Sequence, residues 1–549
     1  MTAQVTVPEP DLVRVQLEPR GAWTDPRGGG VEVCFEPVGP GLAVRVAAVA
    51  GVPLSRVHLR WRRRMPAAAL VLGDAWERTY GDLAWQPLRA ESLHPWMLLV
   101  HSPSGHSWGA GVDVRAGSFA GWTVDPAGVS LWLDVRAGAD AVLLGRRTLA
   151  AATVRWIESD ERPFAAQCAL AAALCSDPLP TGPLVGANNW YYAYGKGFDA
   201  DVVVRDAHTI AELVGDHPVR PFGVVDDGWS VEGTADGRQA SGGPWDVGRS
   251  TEFPDLAEVA GRIAAEGVRP GIWFRPLQHR FEPDAGGLRP WEGGWALDPS
   301  HPATVDRVAA DVRRIRSWGF ELIKHDFSTF EALGRWGFQM GARPAADEIH
   351  VHDRSRTTAE VLVDFYTAIR RSAGDGIVLG CNVVGHLAAG LVEAQRTGDD
   401  TSGRVWERTR RMGVNTLAFR LAQHRRFFTL DADCVPSTSV TDWSKNRQFL
   451  DLVSRSGTAL FVSIDPSTRT DAVDADLSAA LRLALDGGAR TGVEPLDWLH
   501  SATPADWRCG EETLSYDWYG PEGADPYDLT DADPPLTDTD PPLTEAVHP

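Results

Sequence analysis

Three short segments set ionisable side chains among apolar ones. VVDDGW holds Asp226 and Asp227, LIKHDF holds Lys324 and Asp326, and RTGDDT, opened by Arg396, holds Asp399 and Asp400. Residues two apart on a β-strand share a face, so Lys324 and Asp326 point the same way and His325 points to the other side, toward helices. An ammonium beside a carboxylate keeps it ionised, the state required of a nucleophile at an anomeric carbon. Retaining glycosidases add a second carboxyl group, protonated at rest, about 5–5.5 Å from the first. It gives a proton to the leaving oxygen and later takes one from water. Crowding two carboxyl groups raises the pKa of one, so the acid form arises without a metal. On this reasoning Asp326 is the nucleophile. Asp399 and Asp400 compete for the second position, because adjacent residues cannot both face one substrate atom. A Lys324–Asp326 ion pair that merely closes the end of a sheet is the structural alternative.

These segments must lie at strand ends for such chemistry to work. From residue 187 to 487, short apolar runs alternate with helical patterns, and strands are predicted at 188–192, 222–226, 271–274, 321–326, 377–381, 392–396, 427–430 and 459–464. Helices between them show 3.6-residue periodicity, as in Leu256, Val259 and Ile263, or Leu362, Phe365 and Ile369. The second of these opens with Thr357 and Glu360 at capping-box spacing. Eight strands alternating with helices predict a (β/α)8 TIM barrel, whose active site is built at the C-terminal strand ends. Trp273, in GIWFRP, falls at the end of the third strand. An open doubly wound sheet is the rival, but no GxGxxG turn supports it.

Residues 1–175 predict an antiparallel β-sandwich with no long helix. Val57, Leu59 and Trp61 alternate with His58, Arg60 and Arg62, and Val129, Leu131 and Leu133 alternate with Ser130, Trp132 and Asp134. The arginine run from Arg60 to Arg64 is then a solvated strand face. SDPLPTGPLVG (176–186) predicts a linker, and residues 488–522, with Trp498, Trp507 and Trp518, predict a small C-terminal β domain. The acidic tandem DADPPLT and DTDPPLT within 523–549 predicts disorder. The expected architecture is multidomain, α/β plus β.

A formal charge of −21 over 549 residues argues against nucleic acid or an anionic membrane as partner and leaves small neutral substrates open. The N-terminal residues lack a signal-peptide pattern and no apolar run reaches the roughly 20 residues of a membrane span, so the protein is expected in the cytoplasm. Six cysteines without CxxC spacing predict reduced thiols. The 22 tryptophans suit a protein that packs flat rings against sugars, although most must belong to the core. HVHD, with His350, His352 and Asp353, alternates like a chelate but offers no third ligand, so neither metal nor cofactor is expected.

Taken together, WERTYGDLAW, VVDDGW, RPGIWF, FELIKHDF, IVLGCN, RTGDDTSGRVW and RFFTLDADC resemble, in their order, glycoside hydrolase family 36 within the α-galactosidase clan. The resemblance implies a sandwich, a catalytic barrel and a C-terminal β domain, with double-displacement hydrolysis of α-galactosides. It implies Asp326 as nucleophile and Asp400, four residues after Arg396, as general acid/base. Asp226 and Asp227 would bind sugar hydroxyls and Lys324 a ring hydroxyl. Trp190 and Trp273 would wall the sugar subsite, with Cys381 and Arg396 also lining it. The partner would be a small oligosaccharide or glycoside, and a homo-oligomer is compatible. His325, Arg275 and the segment GCNVVGH (380–386) depart from the family pattern and leave the substrate open. Specificity for N-acetylgalactosamine or β-L-arabinopyranose, transglycosylation, and sugar binding without catalysis are the alternatives. Arg275 is read as a structural ion pair in preference to an aglycone contact.

Overall fold

The computed structural model describes residues 2–524 apart from 67, 180, 196, 232–241, 292–293, 489–491 and 521–522. All but the first two residues of the tail expected to be disordered lie outside them. Two antiparallel sheets form the N-terminal part. One runs Val31–Val38, Gly41–Ala48, Leu149–Ser159, Ser107–Val112, Met97–His101, Leu70–Gly73, Gln86–Pro87, with Thr2–Val5 beside Leu149–Ser159. The other runs Trp23–Thr24, Leu12–Gln16, Arg56–Arg62, Gly128–Asp134, Phe119–Asp125, His94–Pro95. Alternation decides which side chains go inward: Val57, Leu59 and Trp61 are buried on Arg56–Arg62, while His58 and Arg60 are half-exposed. The sheets meet through rings, Trp61 of one standing edge-on to Trp156 of the other at 5.6 Å.

One expectation fails within residues 1–175. Pro163–Leu174 is a helix, and Pro at its first position suits an N-terminus where the N–H has no intrahelical partner. Its sequence, PFAAQCALAAAL, is apolar nearly all round, so it lacks the polar face that periodicity detects. The helix lies across Ser107–Val112, where Gly109 and Gly111 leave room for Leu170 and Leu174. A Cβ on Gly111 would stand 2.7 Å from a methyl of Leu174.

Nine parallel strands make the central sheet: β1 (Val185–Asn188), β2 (Phe222–Val225), β3 (Arg269–Phe274), β4 (Leu322–His325), β5 (Ile377–Gly380), β6 (Ala394–Arg396), β7 (Thr429–Asp431), β8 (Val435–Ser437) and β9 (Leu460–Ile464). Their order is β7-β6-β5-β4-β3-β2-β1-β9-β8. The sheet is curled, because Ala459 N donates to Leu430 O at 2.8 Å and Asp431 bridges Ala459, joining β7 to the chain entering β9. Helices follow the same curve, Asp471–Leu485 lying against both Ala200–Val214 and Trp443–Ser456.

Two strand expectations are corrected. The first strand ends at Asn188 rather than Tyr192, because the Asn188 side chain accepts from Trp190 N at 2.9 Å and turns the chain into a one-turn helix, Trp190–Ala193. A ninth strand, β8, was not foreseen; Asp433, at φ +76°, breaks the chain between it and β7. The capping box at Thr357 and Glu360 is present in both directions, at 3.1 and 2.9 Å. A three-stranded antiparallel sheet, Gln278–His279, Gly287–Trp291 and Gly294–Leu297, follows β3, and another, Val493–Pro495, Asp506–Cys509 and Glu512–Ser515, follows the central sheet. Trp507 and Trp518 are fully buried.

Replacing Gly111 by Val should lower stability by about 1–3 kcal/mol through overpacking, measured by denaturant unfolding. A change below the error of the method would show that the helix can shift aside.

Candidate active site

Because every strand of the central sheet is parallel, residues at strand C-termini gather at one end. Asp226 follows β2, Asp326 follows β4 and Asp400 lies four residues beyond the end of β6. Asp326 N extends the ladder by donating to Phe274 O at 3.1 Å, and its carboxylate is then held from two sides. Trp273 Nε1 donates to Oδ2 at 3.0 Å and Phe327 N donates to Oδ1 at 2.8 Å. Phe327 sits at φ +60°, a conformation that costs a non-glycine residue roughly 1–3 kcal/mol. That backbone turn is what brings its N–H back to the preceding carboxylate.

Lys324 shares the face of Asp326, as expected, but its hydrogen-bond partner is different. Nζ donates to Asp226 Oδ2 at 2.6 Å, so the close ion pair is Lys324–Asp226. The long side chain reaches past β3 to the carboxylate at the end of β2. Asp226 Oδ2 also accepts from Asn188 Nδ2 at 2.5 Å, and Oδ1 accepts from Asp227 N at 2.8 Å. Burial works against the Lys324 charge, yet Asp226, Cys381 and Asp326 hold its pKa well above the usual lysine value. Asp326 therefore acts on Lys324 at longer range.

Asp400 lies among cations. Arg396 donates to Oδ1 at 2.8 Å and Arg78 to the same oxygen at 3.3 Å. Burial raises its pKa, but Arg396, then Arg78 and Arg408, outweigh burial and hold it below the ordinary aspartate range. Three guanidinium groups thus oppose the like-charge crowding that would favour a proton on this carboxyl. Asp399 pairs instead with Arg78 at 3.0 Å and Arg408 at 2.8 Å. Its side chain is 14% exposed against 40% for Asp400.

The remaining expected residues divide. Arg396 is buried between Asp400 and Asp433, donating to the latter at 2.7 Å. Cys381 is buried, its N–H bonded to His325 O at 2.7 Å, and burial followed by Asp326 keeps the thiol protonated. Trp190 is half-buried and edge-on to Tyr194 at 5.7 Å. Trp273, expected as an open wall, is only 2% exposed and serves Asp326 as a hydrogen-bond donor. His325 packs among Phe274, Phe365 and Tyr366, and burial lowers its pKa to about 3. It is a neutral spacer between sheet and helix. Arg275 forms a buried ion pair with Glu331 at 2.5 Å and lies 4.1 Å from the Phe327 ring centroid. His350 pairs with Asp140 at 2.8 Å while His352 faces His301, so the two histidines do not converge.

Three contributors escaped the sequence reading. Asp433 accepts from Thr401 N at 2.7 Å and from the Tyr191 hydroxyl, tying the loop after β6 to the turn after β1. Arg78 and Glu77 arrive from the sandwich. Residues 74–80 lie along the loop after β6, Thr79 N donating to Thr397 O and Asp399 N to Thr79 O, both at 2.8 Å. Arg420 fixes the segment by donating to Glu77 O at 2.6 Å and pairing with Asp74 at 3.1 Å. Glu77 accepts from Gly337 N at 2.9 Å and from the Asn382 side chain. Burial lifts its pKa to about 7, against the opposing pull of Arg78. No local periodicity could link residue 78 to residue 400. WERTYG is the one sequence signal there.

No family model matches the chain. Its structural neighbours include α-galactosidases, among them AgaA of glycoside hydrolase family 36. TtGalA from Thermus thermophilus, in complex with p-nitrophenyl α-D-galactopyranoside, is 18% identical with a TM-score of 0.58, over 88% of this chain and 99% of that one. AgaA from Geobacillus stearothermophilus is 14% identical at TM-score 0.59, over 83% and 67%. The galactosidase domain of the α-galactosidase–sucrose kinase AgaSK is 15% identical at 0.56, over 88% and 71%. At these identities the likeness is one of fold.

A pKa raised on folding makes the folded state bind protons more tightly than the unfolded one, so Glu77 should erode stability as pH rises from about 4.5 to about 7. Thermal melts of Glu77→Gln should lack that portion of the decline. Parallel pH profiles for the two proteins would refute it. For the buried pair, Arg275→Met alone should cost about 3–5 kcal/mol and Arg275→Met with Glu331→Leu much less; equal losses would show that packing, not charge, is at stake.

Proposed function

We propose that the chain is a retaining α-glycosidase that releases terminal α-linked galactose-like sugars, acting at the end of a (β/α)8 barrel. On this reading the sandwich spans 1–175, the linker 176–186, the barrel 187–487 and the small β domain 488–522. The observation that carries the reading is the pair Asp326 and Asp400 at the carboxyl ends of parallel strands of one curled sheet, the first held by two N–H donors and the second more exposed.

Asp326 attacks the anomeric carbon as the bond to the leaving oxygen breaks and the protonated form of Asp400 gives that oxygen its proton, leaving a covalent glycosyl ester. Water then attacks that carbon and loses its proton to Asp400, and the Asp326 carboxylate departs. Trp273 Nε1 and Phe327 N hold the attacking carboxylate in place. Asp226 with Lys324, and Asp227, present donors and acceptors for hydroxyls of the sugar. Galactosides of the kind bound by the neighbouring structures, p-nitrophenyl α-galactoside and stachyose, are the first substrates to try.

The depressed pKa of Asp400 shapes the kinetics. As an anion at neutral pH it is ready as the base of the second step but lacks the proton of the first. Nitrophenolate departs without that proton, whereas a sugar leaving group needs it. Cleavage of stachyose should therefore fall more steeply with rising pH than cleavage of the nitrophenyl galactoside. Arg78→Ala removes a cation from Asp400, raises its pKa and should move the stachyose limb to higher pH. A limb that stays put or moves lower would exclude Asp400 as the acid. Asp326→Gly should cut turnover roughly 10³-fold or more, with azide restoring it on the activated substrate; undiminished turnover would remove Asp326 from the mechanism. The same anionic Asp400 also suits a carbohydrate-binding protein without turnover, the reading to adopt if galactosides bind and none is cleaved.

A further inference from the structure

The second sheet of the sandwich carries rings on its outer face, where alternation ordinarily puts polar groups. On Gly128–Asp134, Leu131 and Leu133 are buried and Trp132 between them is half-exposed. Its cross-strand partner on Arg56–Arg62 is His58, and the two rings stack in parallel, 3.8 Å apart at 3°. Burial, with Arg60 nearby, lowers the His58 pKa to about 4, so the stack is uncharged at neutral pH. Trp23, 38% exposed, stands edge-on to both rings at 5.9 and 5.5 Å.

Trp23 and Trp132 line a cleft of about 530 Å³ to which Arg343 and Pro344 contribute from the barrel side. The volume lies within the roughly 300–1,000 Å³ of small-molecule sites. Several of its polar groups are held by one another. Arg56 donates to Asp134 at 3.1 Å and to Gln16 at 2.6 Å, and Trp132 Nε1 donates to Thr123 at 2.9 Å. Arg20 and Arg343 both pair with Asp347, at 2.9 and 3.6 Å. Glu91 also lines the cleft, and the paired groups turn little net charge toward a ligand. They do offer pre-oriented donors and acceptors, the complement of hydroxyl groups, beside rings that take the C–H face of a pyranose. A second copy of the chain would need a flush contact of roughly 1,200–2,000 Å², whereas this surface is a concavity.

We propose that the cleft is a second carbohydrate-binding site, taking a short neutral oligosaccharide, and that it shares no residue with the charge cluster around Asp326 and Asp400. It would hold a polymeric or branched substrate on the sandwich while another part of it is processed. The test uses the full chain carrying Asp326→Asn, titrated with stachyose by calorimetry. Two binding events are expected. Trp23→Ala, at an exposed position, and Arg343→Ala should each weaken one event by about tenfold and leave the other unchanged. With Asp326 restored, turnover of nitrophenyl galactoside should stay within about twofold of the parent. Binding events, one or two, that all ignore both substitutions overturn the proposal. So does a dimer in sedimentation that Trp23→Ala dissociates, which would give the face to a second copy. If no galactoside is cleaved yet Trp23→Ala still removes one event, the catalytic reading falls and this one stands.

Discussion

One guanidinium group holds the end of the central sheet together. Carboxylates converge there because parallel strands all finish at the same edge, and a buried carboxylate without a partner would take up a proton or force its loop outward. Arg396, 2% exposed, binds Asp400 with one amino group and Asp433 with the other. A planar fork can satisfy two separate anions in this way, which a lysine ammonium on a flexible stem does less well. Asp433 in turn anchors Thr401 and Tyr191. The loop after β6 and the turn after β1 therefore owe their positions to one ion-paired triad.

A second ion-paired centre, Lys324 with Asp226, stands across the same edge, and its field reaches Cys381 and Asp326. Asp326 itself is held differently, by an indole and a backbone N–H. The backbone supplies the second donor only because Phe327 accepts a left-handed conformation. Strain at that residue and an ion-pair network around its neighbours are two ways of fixing carboxylates that water would otherwise let move.

Much of this was legible in the amino-acid order. Period-two alternation located the sandwich strands, and apolar runs ending in charged residues located β2, β4 and β6, because both signals arise from local burial. The strand-end positions of Asp226, Lys324 and Asp326 were legible for the same reason. What failed was non-local or lacked contrast. Pro163–Leu174 has no polar face to reveal a helix, and β8 follows a left-handed residue, Asp433, that no residue type demands. Lys324 was matched to the carboxylate nearest in sequence, although its side chain crosses the sheet. Arg78 reaches Asp400 from the sandwich, and only the coordinates disclose that.

The lie of residues 74–80 along the loop after β6 has a consequence for how such molecules diverge. The sandwich supplies part of the electrostatic setting of the sheet edge, Arg78 reaching both Asp399 and Asp400. A chimera that joined this central sheet to a foreign sandwich would exchange the proton affinity of its edge along with its scaffold. Changes in the sandwich loop could then shift the proton affinity of Asp400 while the sequence of the central sheet stayed the same.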